Sequence, residues 1–170
     1  MDLVVNPDGQ ARWNGRNMRC ALGRTGVKAE KREGDGATPA GRFGMRCLFY
    51  RADRGAPPAT ALPLRAIAPD DGWCDAPTDA AYNRLIHLPY DASAETLWRE
   101  DGLYDLIVPL GYNDAPIIAG KGSAIFLHLA AADYAPTAGC IALARADFLA
   151  VLAGADTASH VLVLAEPHAS

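Results

Sequence analysis

The chain has 170 residues, enough for one domain that buries an apolar core without help from metals or disulfides. Half of the residues are apolar and 21% are charged, which is typical of a globular protein. The formal net charge of −4 argues against a nucleic-acid-binding protein, because such proteins carry a basic excess. We therefore predict a single domain over residues 1–170 and no nucleic-acid partner.

The beginning of the chain has no recognisable targeting pattern. Residues 1–7 combine neither a basic region nor a long apolar run, so the sequence predicts no signal peptide. Further along, no apolar run reaches the length of a membrane-spanning helix, so we expect no transmembrane segment. The residues alone leave the cellular compartment open.

Four cysteines are spread widely along the chain, at Cys20, Cys47, Cys74 and Cys140. No CxxC pair exists, which argues against zinc ribbons and thioredoxin-type sites. Cys20 and Cys47 both fall in predicted strands and could pair in an oxidising compartment. Four free thiols are the favoured interpretation.

The first third of the chain predicts strands joined by tight turns. Asn14-Gly15 is a dipeptide that favours a two-residue hairpin turn. The segment 23–41 is rich in glycine and charge, which indicates a long loop with little core. Strands are expected over four stretches: Leu3 to Val5, Gln10 to Trp13, Met18 to Leu22 and Phe43 to Arg51.

The middle of the chain is less regular. Residues 52–83 are rich in Pro, Ala, Asp and Gly, and loops of this length are often functional or lid-like. Ser93 to Trp98 predicts a helical turn with Ser93 as its N-cap. Strands are predicted at Arg84 to Leu88, Leu103 to Leu110, Ile117 to Ile118 and, as an apolar central strand, Ala124 to Leu129.

One clear helix is predicted near the end of the chain. Apolar residues recur at helical spacing over Ala144 to Ala153, and Gly154 fits the C′ position. His160 to Leu164 predicts a closing strand. Strands thus outnumber helices without regular β-α alternation, which indicates a mainly β fold.

The residues with the clearest chemical pattern are Cys140 and His128. Cys140 follows Gly139 in a turn of small residues, where a substrate carbonyl can approach the thiol and nearby backbone N–H groups. His128 lies at the end of the preceding apolar strand and can accept the thiol proton. A thiol, a base and backbone donors together predict covalent acyl transfer. A buried, inert cysteine and a core histidine are the alternatives.

Four further residues are candidates for substrate binding. Thr137 and Tyr134 lie in the loop before Cys140, where Thr137 either donates to the substrate or stabilises the turn. Arg145 could bind a carboxylate through its guanidinium, although a solvated surface charge is the simpler interpretation. Asn113 is a weaker candidate for the pocket wall.

The pattern around Cys140 resembles that of the L,D-transpeptidase catalytic domain, also called the YkuD-like domain. That family carries a strand ending in His, then a loop, then [Ser/Thr]-His-Gly-Cys and an apolar residue. Ala138 departs from the pattern where a second histidine is usual, and Ala142 where Asn or Arg is usual. The segment 34–43 resembles the family's Thr-Pro-x-Gly-x-Phe stretch. The matching positions are His128, Thr137, Gly139, Cys140 and Ile141.

The resemblance implies a fold, a reaction and a substrate. The fold would be a β-sandwich or open barrel of mixed strands with one or two short helices. Cys140 would attack peptidoglycan stem peptides and form a thioester, while a backbone carbonyl orients His128 and N–H groups at Gly139 and Cys140 bind the oxyanion. The resemblance further implies a monomer without metal or organic cofactor, acylation by carbapenems, and a place in the periplasm or cell envelope.

Two other functions remain open at this point. The changes at Ala138 and Ala142 are compatible with a thiol L,D-carboxypeptidase or amidase that uses water as acceptor. A cell-wall-binding domain that has kept the fold without catalysis is the second alternative. Loss of turnover in a Cys140→Ala variant separates the enzymes from the binding domain.

Overall fold

A computed structural model describes residues 1–165, and the predicted domain end at residue 170 lies outside this range. The fold is mainly β, as the sequence predicts. The largest sheet of the described residues has ten strands, which are, in chain order, β1 Asp2–Val5, β2 Gln10–Trp13, β3 Arg16–Ala21, β6 Gly41–Gly44, β7 Leu48–Tyr50, β8 Leu64–Ala66, β12 Leu106–Pro109, β13 Phe126–Leu129, β14 Ile141–Leu143 and β15 His160–Val163. Their order in the sheet is β6-β15-β1-β2-β3-β14-β13-β12-β7-β8.

Two smaller sheets complete the β structure. One has three strands in the order β10-β9-β11, and the other pairs β4 with β5. A short 3-10 helix spans Ala52–Arg54, and one α-helix, α1, spans Arg145–Gly154. The small-sheet strands are β4 Val27–Lys28, β5 Thr38–Pro39, β9 Asp71–Cys74, β10 Leu85–His87 and β11 Ala94–Thr96.

The hairpin between β2 and β3 forms at the predicted turn. Asn14 and Gly15 both have positive φ, 46° and 79°, as a type I′ turn requires. Trp13 pairs with Arg16 directly across it. The Asn-Gly dipeptide therefore sets the register of this hairpin.

The predicted strand from Phe43 to Arg51 is two strands in the structure. β6 pairs with β15 at one end of the large sheet, while β7 pairs with β12 near the other end. Only residues 45–47 separate them, and Met45 donates a hydrogen bond to Ser159 and forms an isolated bridge with Leu110. The sheet therefore curls until its two ends meet, which gives an open barrel.

The strands at the centre of the sheet face two different cores. One core packs α1 against the inside of the curl, and Phe148, Val151 and Leu152 are the fully buried residues of the helix. The other core lies on the opposite face, where Trp73 of β9 packs edge-on against Phe126 at 5.2 Å between ring centroids. The central strands are therefore buried on both faces.

Two predictions for the middle of the chain are wrong. Residues 94–96 are a strand rather than a helical turn, because they pair with β9 through Ala94 to Cys74 and Thr96 to Gly72. Long-range pairing here overrides the local N-cap signal at Ser93. Residues 117–118 form no strand within the described chain and belong to a loop instead.

The predicted helix is confirmed, but its end differs. Gly154 is the last helical residue rather than the C′ residue, and the Ala155 N–H closes the helix on the Leu152 carbonyl at 3.2 Å. A Cβ at position 154 would lie 3.4 Å from Nε1 of Trp13. The glycine therefore allows close packing against the indole instead of a left-handed turn.

All four cysteines are free thiols, as the favoured interpretation holds, so the Cys20–Cys47 pair does not form. Cys20 and Cys74 are buried, and Cys47 is half-buried. Within residues 1–165, no helix has the length and apolar character needed to cross a bilayer.

Candidate active site

Parallel pairing of β13 and β14 brings the two candidate catalytic residues together. His128 of β13 pairs with Ala142 of β14, and Cys140 immediately precedes β14. Because side chains alternate across a strand, Cys140 and His128 both lie on the face opposite α1. They line the same cavity, whose volume is about 430 Å³.

The Cys140 thiol is held by the backbone at the start of β13. Its S–H donates to the Ala124 carbonyl at 3.2 Å, and the Phe126 N–H donates to the sulfur at 3.4 Å. Burial raises the pKa of the thiol to about 12, and the nearby Glu95 carboxylate adds to this. The resting thiol is therefore protonated and needs a base to become a nucleophile.

His128 is the candidate for that base. Its Nδ1 lies 2.9 Å from the Leu129 carbonyl. A carbonyl can only accept, so Nδ1 carries the proton and Nε2 keeps its lone pair. Burial lowers the pKa of the imidazole to about 4, so the ring is neutral at pH 7 and can accept a proton. The orienting group is thus a backbone carbonyl, as the motif resemblance implies.

A tyrosine and a carboxylate complete this side of the cavity. The Tyr104 ring packs edge-on against His128 with ring centroids 5.1 Å apart, and the Tyr104 hydroxyl donates to Glu95. Burial raises the pKa of both groups, so both hold their protons more tightly than in water. Sequence reasoning missed Glu95 because its strand was expected to be a helical turn.

The turn before the thiol is fixed by Thr137. Its hydroxyl donates to the Cys140 carbonyl at 2.6 Å and accepts from the Gly139 N–H at 3.1 Å. Its backbone N–H and carbonyl bond to Leu22 and Arg24, both at 2.9 Å. The geometry therefore favours the turn-stabilising role for Thr137.

Gly139 allows this turn to approach the loop before β5. Its φ is +142°, and a Cβ there would lie 2.8 Å from the Ala37 carbonyl oxygen. A side chain would be strained in this conformation and would clash with backbone. In this structure the Gly139 N–H is already bonded to Thr137, so an oxyanion would have to compete for it.

Three of the predicted substrate-binding residues do not line the cavity that holds Cys140 and His128. Tyr134 stacks under the Arg19 guanidinium at 4.4 Å and does not line the catalytic cavity. Arg145 is exposed at the start of α1, beside a different cavity of about 240 Å³. Asn113 binds its own loop, donating to the Gly122 carbonyl at 2.9 Å, and lines a neighbouring cavity.

The cavity carries charges of both signs. Besides Glu95, two acidic residues line the cavity. Glu33 accepts a hydrogen bond from the Ser123 hydroxyl at 2.7 Å, while Oδ1 of Asp75 is buried and has no partner within the described residues. The charged lining residues are Arg24, Lys31, Arg99, Glu33, Asp75 and Glu95. Local sequence patterns do not reveal that these residues line the cavity, because each comes from a loop or strand far from residues 128–140.

A second cluster brings three potential metal ligands together at the surface. Atoms of Asp70, Asp71 and His87 lie within 4.8 Å of one another. The Asp71 carboxylate already accepts from Arg65 at 3.2 Å and from the Ala68 N–H at 2.9 Å. This cluster is therefore a hydrogen-bonded network around the buried Asp71, and His87 is an exposed residue of it.

A comparison with protein-family models agrees with the motif resemblance. A family model described as the L,D-transpeptidase catalytic domain (YkuD) matches residues 2–163. No curated protein sequence matches the chain. Among solved structures, the chain is similar to the crystal structure of the helical cell shape determining protein Pgp2 from Campylobacter jejuni, with 13% sequence identity and a TM-score of 0.47. That match covers 98% of this chain and 48% of the other, so this chain spans about half its length.

Proposed function

Since this chain belongs to the L,D-transpeptidase catalytic-domain (YkuD) family, we propose that it is a cysteine acyltransferase acting on peptidoglycan stem peptides. Cys140 is the nucleophile and His128 is the general base. The acyl donor is a stem peptide, and the acceptor is an amine of a second stem. The expected products are a cross-link and a free terminal D-residue.

One observation carries this proposal: the Cys140 thiol and the neutral imidazole of His128 line one cavity on the same face of the sheet. Cys140 keeps its proton because burial raises the pKa of the thiol to about 12. His128 is neutral because burial lowers the pKa of the imidazole to about 4. A structural cysteine needs no such base beside it, whereas covalent acyl transfer does.

The first half of the reaction forms a thioester. The S–H turns from the Ala124 carbonyl and gives its proton to Nε2 of His128 as the sulfur attacks the scissile carbonyl. Backbone N–H groups of the turn, beginning with that of Cys140, stabilise the tetrahedral oxyanion. The C–N bond then breaks, and the leaving amine takes the proton from the imidazolium.

The second half regenerates the thiol. The acceptor amine attacks the thioester carbonyl while Nε2 of His128 takes one of its protons. The C–S bond breaks, and the imidazolium returns the proton to the sulfur of Cys140. Tyr104 packs against the imidazole on one side, and the Leu129 carbonyl fixes its tautomer. The ring can therefore serve both halves without reorienting.

Mass spectrometry of a disaccharide-tetrapeptide incubated with the protein tests this function. A dimer with the mass of a cross-linked pair is expected, and it should be absent with Cys140→Ala. A tripeptide product that depends on Cys140 would instead assign water as the acceptor. No change that depends on Cys140 would overturn the enzymatic proposal.

A β-lactam provides a second readout. A carbapenem is a strained cyclic amide, and attack by the Cys140 sulfur opens its ring and leaves it attached as a thioester. Intact-protein mass spectrometry should detect one added drug mass in the wild type and none in Cys140→Ala. An adduct on Cys47, which is half-buried, would contradict the assignment of the nucleophile.

A further inference from the structure

Lys31 is a buried cation next to the turn that carries the nucleophile. Its side chain is 3% exposed, and Nζ lies 3.5 Å from the point where a Cβ on Gly139 would be. The stem packs against Gly122, where an added Cβ would lie 2.9 Å from Cε. Lys31 lines both the catalytic cavity and a second cavity of about 770 Å³. The ammonium thus borders both cavities.

Within residues 1–165, the hydrogen bonds of Lys31 leave one N–H donor of its ammonium unused. Nζ donates to Oδ1 of Asp35 at 2.8 Å and to the Arg32 carbonyl at 3.4 Å. An ammonium has three N–H donors, so one is left for a ligand. Asp35 is held in turn by the backbone N–H groups of Arg32 and Ala37, both at 2.9 Å. The ammonium is therefore fixed in position before any substrate arrives.

The other cations near the thiol are less suited to bind a ligand there. Arg24 is exposed, and its guanidinium lies over Gly36. Arg99 is half-buried, but it forms an ion pair with Asp101 and lies over the Tyr104 ring at 4.8 Å. Among the described cations that line this cavity, Lys31 alone is buried.

We propose that Lys31 is the anion-binding residue of the site and that its free N–H holds the carboxylate of the acyl-donor peptide beside Cys140. The proposal rests on the proposed acyl transfer for the identity of the donor. It replaces Arg145, a candidate carboxylate ligand in the sequence analysis, which lines another cavity. A donor whose terminal carboxylate is held there presents the preceding carbonyl to the sulfur.

Charge-matched thiol reagents test the anion site without any peptide substrate. 2-Carboxyethyl methanethiosulfonate is anionic, and 2-hydroxyethyl methanethiosulfonate is a neutral control of similar size. With either reagent the Cys140 thiolate attacks the sulfenyl sulfur, forms a mixed disulfide and expels methanesulfinate. The thiolate fraction cancels in the ratio of the two rates, so the ratio reports the preference for a carboxylate alone.

In the wild type, the anionic-to-neutral rate ratio at Cys140 should exceed that of the same cysteine in the denatured chain. Lys31→Met should lower the ratio about tenfold, the effect of one hydrogen bond to a charged group. Lys31→Arg should retain most of it. Lys121→Met is the matched control, because it removes an exposed lysine from the rim of the second cavity and should change the ratio less than about twofold.

Folding is read in the same experiment, because Cys20 and Cys74 are buried and, unlike Cys140, do not line the cavity, so they react only if the chain opens. If Lys31→Met unfolds, Lys31→Gln replaces it, since the amide keeps a donor for Asp35 without the charge. A wild-type ratio no higher than in the denatured chain would overturn the proposal. So would an equal loss in Lys31→Met and Lys121→Met.

A second experiment uses the peptide itself. With a donor that ends in a carboxylate, Lys31→Met should raise KM about tenfold, and with the same donor ending in an amide it should leave KM unchanged. An equal rise in KM for both donors would contradict carboxylate binding. If neither donor reacts with the wild type, the proposed acyl transfer fails, while the reagent ratios still decide whether Lys31 binds anions.

Discussion

The two faces of strands β13 and β14 hold different kinds of side chain on the same backbone. Leu127 and Ile141 point into the apolar core beneath α1, and both are fully buried. Phe126, His128 and Cys140 alternate with them and face the smaller sheet and the catalytic cavity. Every second residue therefore faces the core beneath α1, and the residues between them face the second core and the candidate site.

The two faces of these strands show how a buried site can be rigid: the apolar face of the same strands holds it in place. The apolar face fixes the strand positions, because a slip of one residue would exchange the two faces. The thiol of Cys140 and the imidazole of His128 are held in position because their chain neighbours, Ile141 and Leu127, are packed in the core. Substitutions at adjacent positions should therefore separate activity from stability.

The largest expected effect is on activity, in His128→Ala. Loss of the general base should lower kcat/KM about a thousandfold, since proton transfer by a positioned side chain contributes roughly 10²–10⁴. Steady-state kinetics on the tetrapeptide would measure it. Full activity in the folded variant would show that the imidazole is only a core residue.

The matching substitution on the other face is Leu127→Ala. Leu127 has no exposed surface, and its truncation leaves a cavity that should lower the free energy of unfolding by about 3 kcal/mol. Urea titration gives this value, and kinetics per folded molecule should remain close to wild type. A kcat/KM loss as large as in His128→Ala would contradict the separation of the two faces.

A third test uses the pH dependence of stability. Burial lowers the pKa of His128 from 6.5 to about 4. Between these pH values the unfolded chain binds a proton that the folded chain does not, so the free energy of unfolding rises with pH across this window. The rise from this one group is about 3 kcal/mol at most.

His128→Gln removes the titrating group while keeping a polar side chain. Its free energy of unfolding should therefore increase less between pH 4 and pH 7 than that of the wild type. Denaturant titrations at several pH values measure the difference. Parallel curves for the two proteins would mean that the imidazole of the folded chain keeps an ordinary pKa.

The smallest expected effect on stability is at Gly139, in the turn directly before β14. Gly139→Ala places a Cβ 2.8 Å from the Ala37 oxygen at a φ of +142°, which should cost about 2 kcal/mol. Activity should fall as well, because the turn carries the thiol. Ala138→Gly, at the exposed neighbouring position, is the control and should leave the fold intact. Unchanged stability in Gly139→Ala would mean that the turn relaxes freely.

The sequence predicts the catalytic pair because its signal is local. An apolar strand ending in His128 and a small-residue turn ending in Cys140 can be recognised without knowing what packs around them. The same holds for the Asn14-Gly15 hairpin, whose turn depends on two residues only. Where one short stretch determines the conformation, the prediction agrees with the structure.

The cavity walls are not predictable in this way. Glu95 reaches the cavity through pairing of β11 with β9, and the local signal at Ser93 favoured a helix. Lys31 lies in a glycine-rich loop that predicted little core, and its burial depends on Asp35, Gly122 and the turn at Gly139. These positions result from long-range packing, which a single sequence does not reveal.

Parallel pairing of β13 with β14 also means that the segment connecting these strands does not determine how far apart the imidazole and the thiol lie. The distance between imidazole and thiol follows from the register Leu127 to Ile141, so the number of residues joining the strands does not set it. Residues 131–136 can therefore lengthen or shorten while the reacting groups stay in place. New substrate preferences could evolve, or be engineered, by rewriting this connection alone.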